Sequence, residues 1–244
     1  MSSSTANSRT VAWVVVPALL LSTGWLLRSL ERPLAAPAPL RAEQWLALSG
    51  HGGLPAMLGG LRSVVAGGFW LRANLAWERR DAAATTALLE LTVAADDRSA
   101  YFWLNGARML AYDVPSWLPV DAPAATRQQA NERAAQQALR LLDQGLRWRG
   151  SDADLFIEIA NVHLRRRGDI EDAARYYRLA AEQPGAPWFA ARIHAELLRQ
   201  LGRPKAALAW LREVLPTLPA DDPAAQRAIV EARIRALERE LAGR

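Results

Sequence analysis

The sequence predicts an all-α protein in which an N-terminal transmembrane helix precedes an α-solenoid of about three helical hairpins and a capping helix. Three observations lead to this prediction. An uncharged apolar run lies near the N-terminus, apolar side chains recur at helical spacing from residue 69 onward, and one hairpin pattern occurs twice in succession. A repeated hairpin indicates a stack in which neighbouring units bury their apolar faces against one another.

The composition of the 244-residue chain is that of a protein with a core of ordinary size. Hydrophobic residues make up 51% of it, which is enough apolar surface to support a folded domain. The formal net charge is only +5, so the composition does not indicate a nucleic-acid-binding protein. Because the chain has no cysteine, disulfides, thiolate nucleophiles and cysteine-ligated metals are excluded.

The uncharged run spans residues 10–27 (TVAWVVVPALLLSTGWLL). At ~1.5 Å per residue, a helix of this length spans most of a hydrocarbon layer of ~30 Å. We predict a retained transmembrane anchor; the alternative is a cleaved signal peptide, but the run is longer than usual for one. Tryptophans lie near both ends, where indole rings favour the membrane interface. The residues assigned to the anchor are Val11, Trp13, Pro17, Trp25 and Leu27.

The charges around the anchor and the size of the domain that follows it favour opposite membrane orientations. Arg9 alone precedes it and Arg28, Arg32 and Arg41 follow it, which favours a cytoplasmic C-terminal part. Short N-terminal tails usually stay inside, however, and large domains cross largely regardless of charge. We place the protein in a bacterial inner membrane as a single-pass chain, with the repeat domain on the extracytoplasmic, periplasmic side.

Two unusual segments separate the anchor from the helices. The N-terminal tail (residues 1–9) and the anchor are followed by a linker at residues 28–49. The proline-rich part of this linker (RPLAAPAPLRA) predicts a stiff, extended spacer. Residues 50–68 are rich in glycine and apolar residues, which indicates close backbone packing or a segment at the membrane surface. No Gly-Lys-Ser/Thr motif follows these glycines, so a phosphate-binding loop is disfavoured.

Helices are predicted from Phe69 onward, the first pair at residues 69–80 and 82–95. A further unit within residues 69–150 begins with a helix at 101–112. A stretch at 113–125 (DVPSWLPVDAPAA) holds three prolines and is predicted to interrupt this unit.

After the interruption, Thr126 is predicted to cap a long helix that ends at Trp148. Ser151 and Asp154 form a predicted capping box for the next helix. Pro204 suits the first position of a later helix because it lacks an amide hydrogen.

The clearest repeats occupy residues 151–221. Gly168 of the first recurs as Gly202 in the second, and Ala173 recurs as Ala207, so the period is about 34 residues. A capping helix is predicted in residues 222–244, starting at Asp222-Pro223. Its charged sequence suits the free end of a solenoid, where one face of the last helix stays in water.

This repeating pattern, together with Trp103, Gly106-Ala107 and Leu110 in the earlier unit, resembles the tetratricopeptide repeat. Residues 59–62 (GGLR) and 70–73 (WLRA), followed by a hairpin, also resemble bacterial membrane-anchored tetratricopeptide proteins. The resemblance implies a helical superhelix whose groove binds an extended peptide or a partner helix. Such domains are generally scaffolds or adaptors without chemistry of their own.

The resemblance assigns the partner-binding groove to the first helix of each repeat. Guanidinium groups bind carboxylates through paired hydrogen bonds, so the predicted guest is an acidic segment or a free C-terminus. The alternative is a solvated face whose charges pair with one another. The lysine and asparagine clamp of some relatives is not reproduced. The assigned positions are Tyr101, Leu104 and Arg108, then Leu155, Glu158, Val162, Arg165 and Arg166, then Phe189, Arg192, Glu196, Arg199 and Gln200.

We interpret the residues that could support catalysis or metal binding as structural. The histidines, His51, His163 and His194, lack acidic residues at metal-binding spacing, so no metal or cofactor is predicted. No Gly-x-Ser-x-Gly motif is present, and no catalytic residue is assigned. Trp117, in the proline-rich stretch, is a candidate exposed anchor for a partner.

Taken together, these features predict a membrane-anchored scaffold or adaptor that organises the subunits of a bacterial membrane complex, for example in secretion or envelope assembly. Its expected partners are proteins, as complex subunits or acidic extended segments, and the membrane through the N-terminal helix. No nucleic acid and no small-molecule substrate are expected, and an enzyme is disfavoured. The alternative is a permanent structural subunit of a larger complex. Exposed apolar surface along residues 50–70 would favour that alternative.

Overall fold

The computed structural model describes residues 61–243. The predicted tail, anchor and linker, and the glycine-rich segment up to residue 60, lie outside the described residues. All regular elements within residues 61–243 are helical, so the all-α prediction is confirmed there. None of these helices combines the length and the apolar character that crossing a bilayer requires.

Nine α-helices of more than one turn can be numbered along the described part of the chain. Each of them packs against the next one in the sequence, as successive hairpins in a stack do. They are α1 (Arg62–Glu78), α2 (Ala82–Ala95), α3 (Ala100–Arg108), α4 (Ala124–Arg149), α5 (Ala153–Val162), α6 (Ile170–Ala181), α7 (Phe189–Gln200), α8 (Pro204–Val214) and α9 (Arg227–Ala242).

Helix α1 begins at Arg62, well before the predicted start at Phe69. The sequence predicted no helix here because glycines weaken helical propensity. The helix forms because alanines on one face, Ala66 and Ala73, are completely buried in the hairpin with α2. Its first turn is tied to the end of α2, where the Ser63 hydroxyl donates to Asp96 Oδ2 over 2.8 Å.

Helix α3 continues into the stretch at 113–125 that was predicted to interrupt it. It continues through a π-helical turn, Met109–Asp113, and a last turn, Val114–Ser116, so the chain leaves the helix only at residue 117. A π-helical turn inserts one extra residue, and here it keeps three consecutive side chains, at 109–111, in the core. The Trp77 indole N–H donates to Asp113 Oδ2 over 3.0 Å and fixes this extension against α1.

Three predicted helix starts are wrong in detail. Helix α4 starts directly after Pro123 without a side-chain cap, so Thr126 is its third residue. Asp152, rather than Ser151, caps α5, because its Oδ1 accepts the amide hydrogens of residues 154 and 155. Asp222 caps only a short 3-10 turn, and left-handed Gln226 (φ 47°) delays the last helix to Arg227.

The two clear repeats correspond to the hairpins α5–α6 and α7–α8. Gly168 and Gly202 adopt left-handed conformations, with φ of 67° and 73°, at equivalent turns. The matching Ala173 and Ala207 are completely buried where the helices approach closely. Pro204 is the first residue of α8, as predicted.

The core between α3, α4 and α5 is built around Trp103, which is 2% exposed. Its indole N–H donates to the backbone oxygen of Asp97 over 2.8 Å. Gly145 of α4 faces this ring: a Cβ there would lie 3.1 Å from Trp103 Cδ2 and 3.3 Å from Leu155 Cδ1. The α3, α4 and α5 helices are therefore closely packed around Trp103, despite the long connection between α3 and α4.

Candidate functional site: the face formed by α1, α3 and α5

Helices α1, α3 and α5 together present a surface of mixed chemistry, which we call the α1–α3–α5 face. Helix α3 packs against both α2 and α5, and its side chains also reach α1. We define the face by the side chains that its three helices contribute: Trp70, Asn74 and Trp77 of α1, Tyr101, Leu104, Asn105 and Arg108 of α3, and Arg165 in the turn that continues α5.

A cleft of about 250 Å³ lies between α1 and α3 on this face. Trp70 and Trp77 supply aromatic walls, and Arg108 lines the same cleft. Asn74 and Asn105 each donate their amide group to a backbone oxygen of their own helix, over 2.8 and 2.9 Å. Their Oδ1 atoms therefore stay available to accept hydrogen bonds from a guest.

Aromatic rings extend the cleft toward the start of α3. The Trp70 ring centroid lies 5.4 Å from that of Tyr101, in an edge-on arrangement, and 5.6 Å from that of Phe102. Tyr101 is 55% exposed, so one side of this cluster faces solvent. Rigid aromatic surfaces of this kind contribute much of the binding energy in protein interfaces.

A charged pair connects α3 to α5 beside the cleft. Arg108 Nε donates to Glu158 Oε2 over 2.9 Å, and the Glu158 side chain is only 3% exposed. Burial, followed by this neighbouring carboxylate, raises the pKa of Tyr112 to about 12. Glu158 is thus an internal counter-ion that holds the two helices together, and a ligand at the surface would meet Arg108 rather than Glu158.

Arg165 is the predicted groove arginine that is most available to a guest. It is exposed, and it makes no hydrogen bond or ion pair with any residue in the range 61–243. Arg166, by contrast, is occupied: it donates to the backbone oxygen of Tyr112 over 3.2 Å and lies over the same ring at 4.8 Å. Arg166 therefore has a structural role, whereas the adjacent Arg165 stays exposed to solvent.

Two other predicted groove positions are wrong as surface sites. Leu155 and Val162 are completely buried in the core with Trp103. The reason is that α5 is covered by α4 on one side and by α6 on the other, so most of its circumference is occupied. The exposed charged side chains of this region lie only toward its two ends, and they are Asp154, Arg165 and Arg167.

The groove positions of the second repeat form a separate, largely self-paired group. Arg192 donates to the backbone oxygen of Ala225 over 3.2 Å, and Glu196 binds Arg199 at 2.6 Å and Arg233 at 3.2 Å. The hydrogen bond from Arg199 lowers the pKa of the Glu196 carboxyl group. This arrangement matches the alternative in which the charged face pairs internally. Phe189 and Gln200 remain exposed at the two ends of α7.

The tryptophan predicted as a loop anchor is half-buried. Trp117 follows the last turn of α3, and its amide N–H bonds to the backbone oxygen of Val114. The most exposed apolar side chain of this connection is Val120, at 96%. Trp117 is therefore not a fully exposed side chain.

The two histidines in the described residues are both buried. The His194 ring N–H at Nδ1 donates to the backbone oxygen of Ala174 over 2.8 Å, and the ring packs edge-on against Trp210. Burial lowers the pKa of His194, which suits the structural role predicted for it. The environment of His163 differs, because Asp169 and Asp172 lie beside it. The sequence spacing did not reveal this cluster.

No protein-family model matches the chain, and no curated protein matches it. Its function is therefore inferred from the chemistry of its own residues.

The cleft residues Trp70, Asn74, Trp77 and Asn105 were not predicted as site residues. A signal was present in the sequence, since Trp70, Asn74 and Trp77 lie on one helical stripe, but such a stripe usually indicates core packing.

Proposed function

We propose that this chain is a helical-repeat scaffold of the tetratricopeptide type, which binds extended protein segments on the α1–α3–α5 face. The observation that carries the proposal is the cleft between α1 and α3, where two tryptophans, two free amide oxygens and an arginine converge. Amide oxygens suit the backbone N–H groups of an extended peptide, and indole rings suit its apolar side chains.

The charges of the face favour an acidic segment. Glu158 uses only the Nε of Arg108, so the terminal nitrogens of this guanidinium make no hydrogen bond to any residue within 61–243. Arg165, in the turn that continues α5, is likewise exposed. Two exposed cationic groups on one face complement a segment that carries carboxylates.

The membrane part of the proposal rests on residues 10–27. Their uncharged sequence supports a single-pass anchor in a bacterial inner membrane, and the proline-rich spacer would hold the helical domain away from the lipid. We place the domain on the periplasmic side. In this arrangement the protein recruits or organises subunits of a membrane complex, such as one for secretion or envelope assembly.

Replacing two residues of the face tests this function. In the double variant Asn105→Ala/Arg165→Glu, capture of partners from native membranes should fall about 10-fold or more, because an acceptor is lost and a cation becomes an anion. The measurement is quantitative affinity purification with the full-length chain. The matched control is Gln128→Ala/Arg133→Glu, two exposed residues of α4 outside the face. Equal capture by both double variants would refute the assignment of the face.

A second candidate function is that of a permanent subunit, and a specific observation favours it. The outer side of α1 exposes an apolar row at the heptad spacing of a helix-packing seam. Leu61, Val64, Leu71 and Leu75 are 51–70% exposed, and Gly68 completes the spacing. An exposed row of this kind is typical of a surface that another protein covers.

Introducing charge into this row distinguishes the two candidates. If the chain is a permanent subunit, Val64→Asp/Leu71→Asp should release it from its native complex, because carboxylates are strongly disfavoured in a buried apolar seam. Size-exclusion chromatography of solubilised membranes would then show a smaller species. Val120→Asp/Ile229→Asp is the control, since both of these apolar side chains are also exposed. Unchanged elution of the α1 variant would contradict the permanent-subunit function.

A further inference from the structure

Three potential ligand atoms converge where α5 turns into α6. They are Nδ1 of His163 and one carboxylate oxygen each of Asp169 and Asp172, all within 4.8 Å of one another. Nδ1 lies 3.5 Å from Asp169 Oδ2 and 3.7 Å from Asp172 Oδ2. The chain reverses at left-handed Gly168, which brings the first turn of α6 back onto the end of α5.

The histidine is buried without a hydrogen-bond partner at the atom that faces the carboxylates. Its side chain is 7% exposed, and Nδ1 forms no hydrogen bond within the described part of the chain. Both separations from the carboxylate oxygens are too long for good N–H···O bonds. A buried nitrogen directed at two carboxylate oxygens requires something positive between them, either a proton or a metal ion.

The spacing suits a small divalent cation. With metal–ligand bonds of about 2.0–2.1 Å, the ligand atoms of a tetrahedral site lie about 3.4 Å apart, only a few tenths of an ångström less than the distances to Nδ1. One imidazole and two carboxylates are a donor set that Zn²⁺ accepts, and two negative charges balance those of the ion. Both carboxyl groups are about one-third exposed, so a water molecule could complete the coordination.

The neighbouring groups hold the three ligands in place. The His163 ring stacks on Tyr176, with centroids 5.5 Å apart and planes 17° from parallel. Asp169 uses Oδ1 to cap α6 at the amide of residue 172, and Asp172 uses Oδ1 to bind Arg175 at 2.8 Å. In each carboxylate, Oδ2 remains for a metal. Burial also lowers the pKa of His163, which favours the neutral form of imidazole that binds metals.

We propose that His163, Asp169 and Asp172 form a Zn²⁺-type divalent cation site that closes the α5–α6 hairpin. None of its ligands belongs to the α1–α3–α5 face, and its role is to fix the turn between two packed helices. Because the three ligands come from both arms of the hairpin, a bound ion would stabilise the folded state by mass action.

Metal titration of the purified full-length chain tests the proposal. Adding Zn²⁺ should raise the thermal unfolding midpoint of the natural chain, and Co²⁺ should give the visible absorption of a four-coordinate site. In Asp169→Asn/Asp172→Asn, the apparent Zn²⁺ affinity should fall at least ~10-fold. Asparagine at position 169 can still cap α6, so we expect the double variant to fold. Asp152→Asn, at the cap of α5, is the matched control and should bind Zn²⁺ like the natural chain.

A measurement on the natural chain tests the proposal even if the double variant fails to fold. In ¹⁵N-histidine spectra, with His163 assigned by His163→Gln, Zn²⁺ should shift the Nδ1 resonance of His163 and leave His194 unchanged. The proposal would be overturned if the natural chain did not respond to Zn²⁺, or if the double asparagine variant responded equally. It would also be overturned if His163 titrated with protons alone at every Zn²⁺ concentration.

Discussion

Replacing Trp103 by alanine is expected to lower the free energy of unfolding by about 3–5 kcal/mol, the usual cost of truncating a fully buried tryptophan. The ring is 2% exposed and lies between α3, α4 and α5, so the remaining structure has little freedom to close the cavity. The change also removes the indole donor to the backbone oxygen of Asp97. Chemical denaturation followed by far-ultraviolet circular dichroism measures the effect.

Trp148→Ala is the control for this experiment. Trp148 is on α4 but 60% exposed, so its truncation should change the free energy of unfolding by no more than about 0.5 kcal/mol. If both variants lost stability equally, the packing of α3, α4 and α5 around Trp103 would be wrong.

The second large effect is expected from Gly145, which is a close-contact position inside a long helix. In Gly145→Leu, the new side chain would press against Trp103 and Leu155, because even a Cβ would lie 3.1–3.3 Å from their atoms. Overpacking of this kind typically costs about 1–3 kcal/mol. The same denaturation experiment, followed by circular dichroism, measures this loss of stability. Tryptophan fluorescence is less suitable, because the chain has ten tryptophans and the signal would not come from Trp103 alone.

Gly67→Ala is the informative comparison. Gly67 also lies inside a helix, α1, but a Cβ there would have no atom within 4 Å. Alanine should therefore stabilise the chain by up to about 1 kcal/mol through its higher helical propensity. A loss of stability at Gly67, or tolerance of leucine at Gly145, would contradict the close packing of α4 on α3 and α5.

The sequence was sufficient to predict the hairpins whose signals are local and repeated. Gly168 and Gly202 marked equivalent turns because a left-handed backbone conformation favours glycine, and the alanines one repeat apart, Ala173 and Ala207, marked close helix contacts. The helix starts were predicted less well. Asp152 and Ser151 are adjacent residues with similar capping chemistry, and only the backbone conformation decides between them.

The candidate site depends on contacts that sequence spacing does not contain. Arg108 and Glu158 pair across 50 residues, and Trp77 and Asp113 across 36, so their proximity follows from how the helices stack. The resemblance to the tetratricopeptide repeat placed Leu155 on a groove, but the contacts of α5 with both neighbouring helices bury it. The early start of α1 was missed for a related reason: tertiary burial of its alanines outweighs the low helical propensity of its glycines.

The central claim is that partners bind on the α1–α3–α5 face. The most direct test is photo-crosslinking in living cells from a photoreactive amino acid placed at position 105 or 165, compared with position 133 on α4. The account predicts the same partner band from both face positions and none from position 133. Crosslinks from position 133 alone, or from positions 64 and 71 of the α1 row but neither face position, would contradict it.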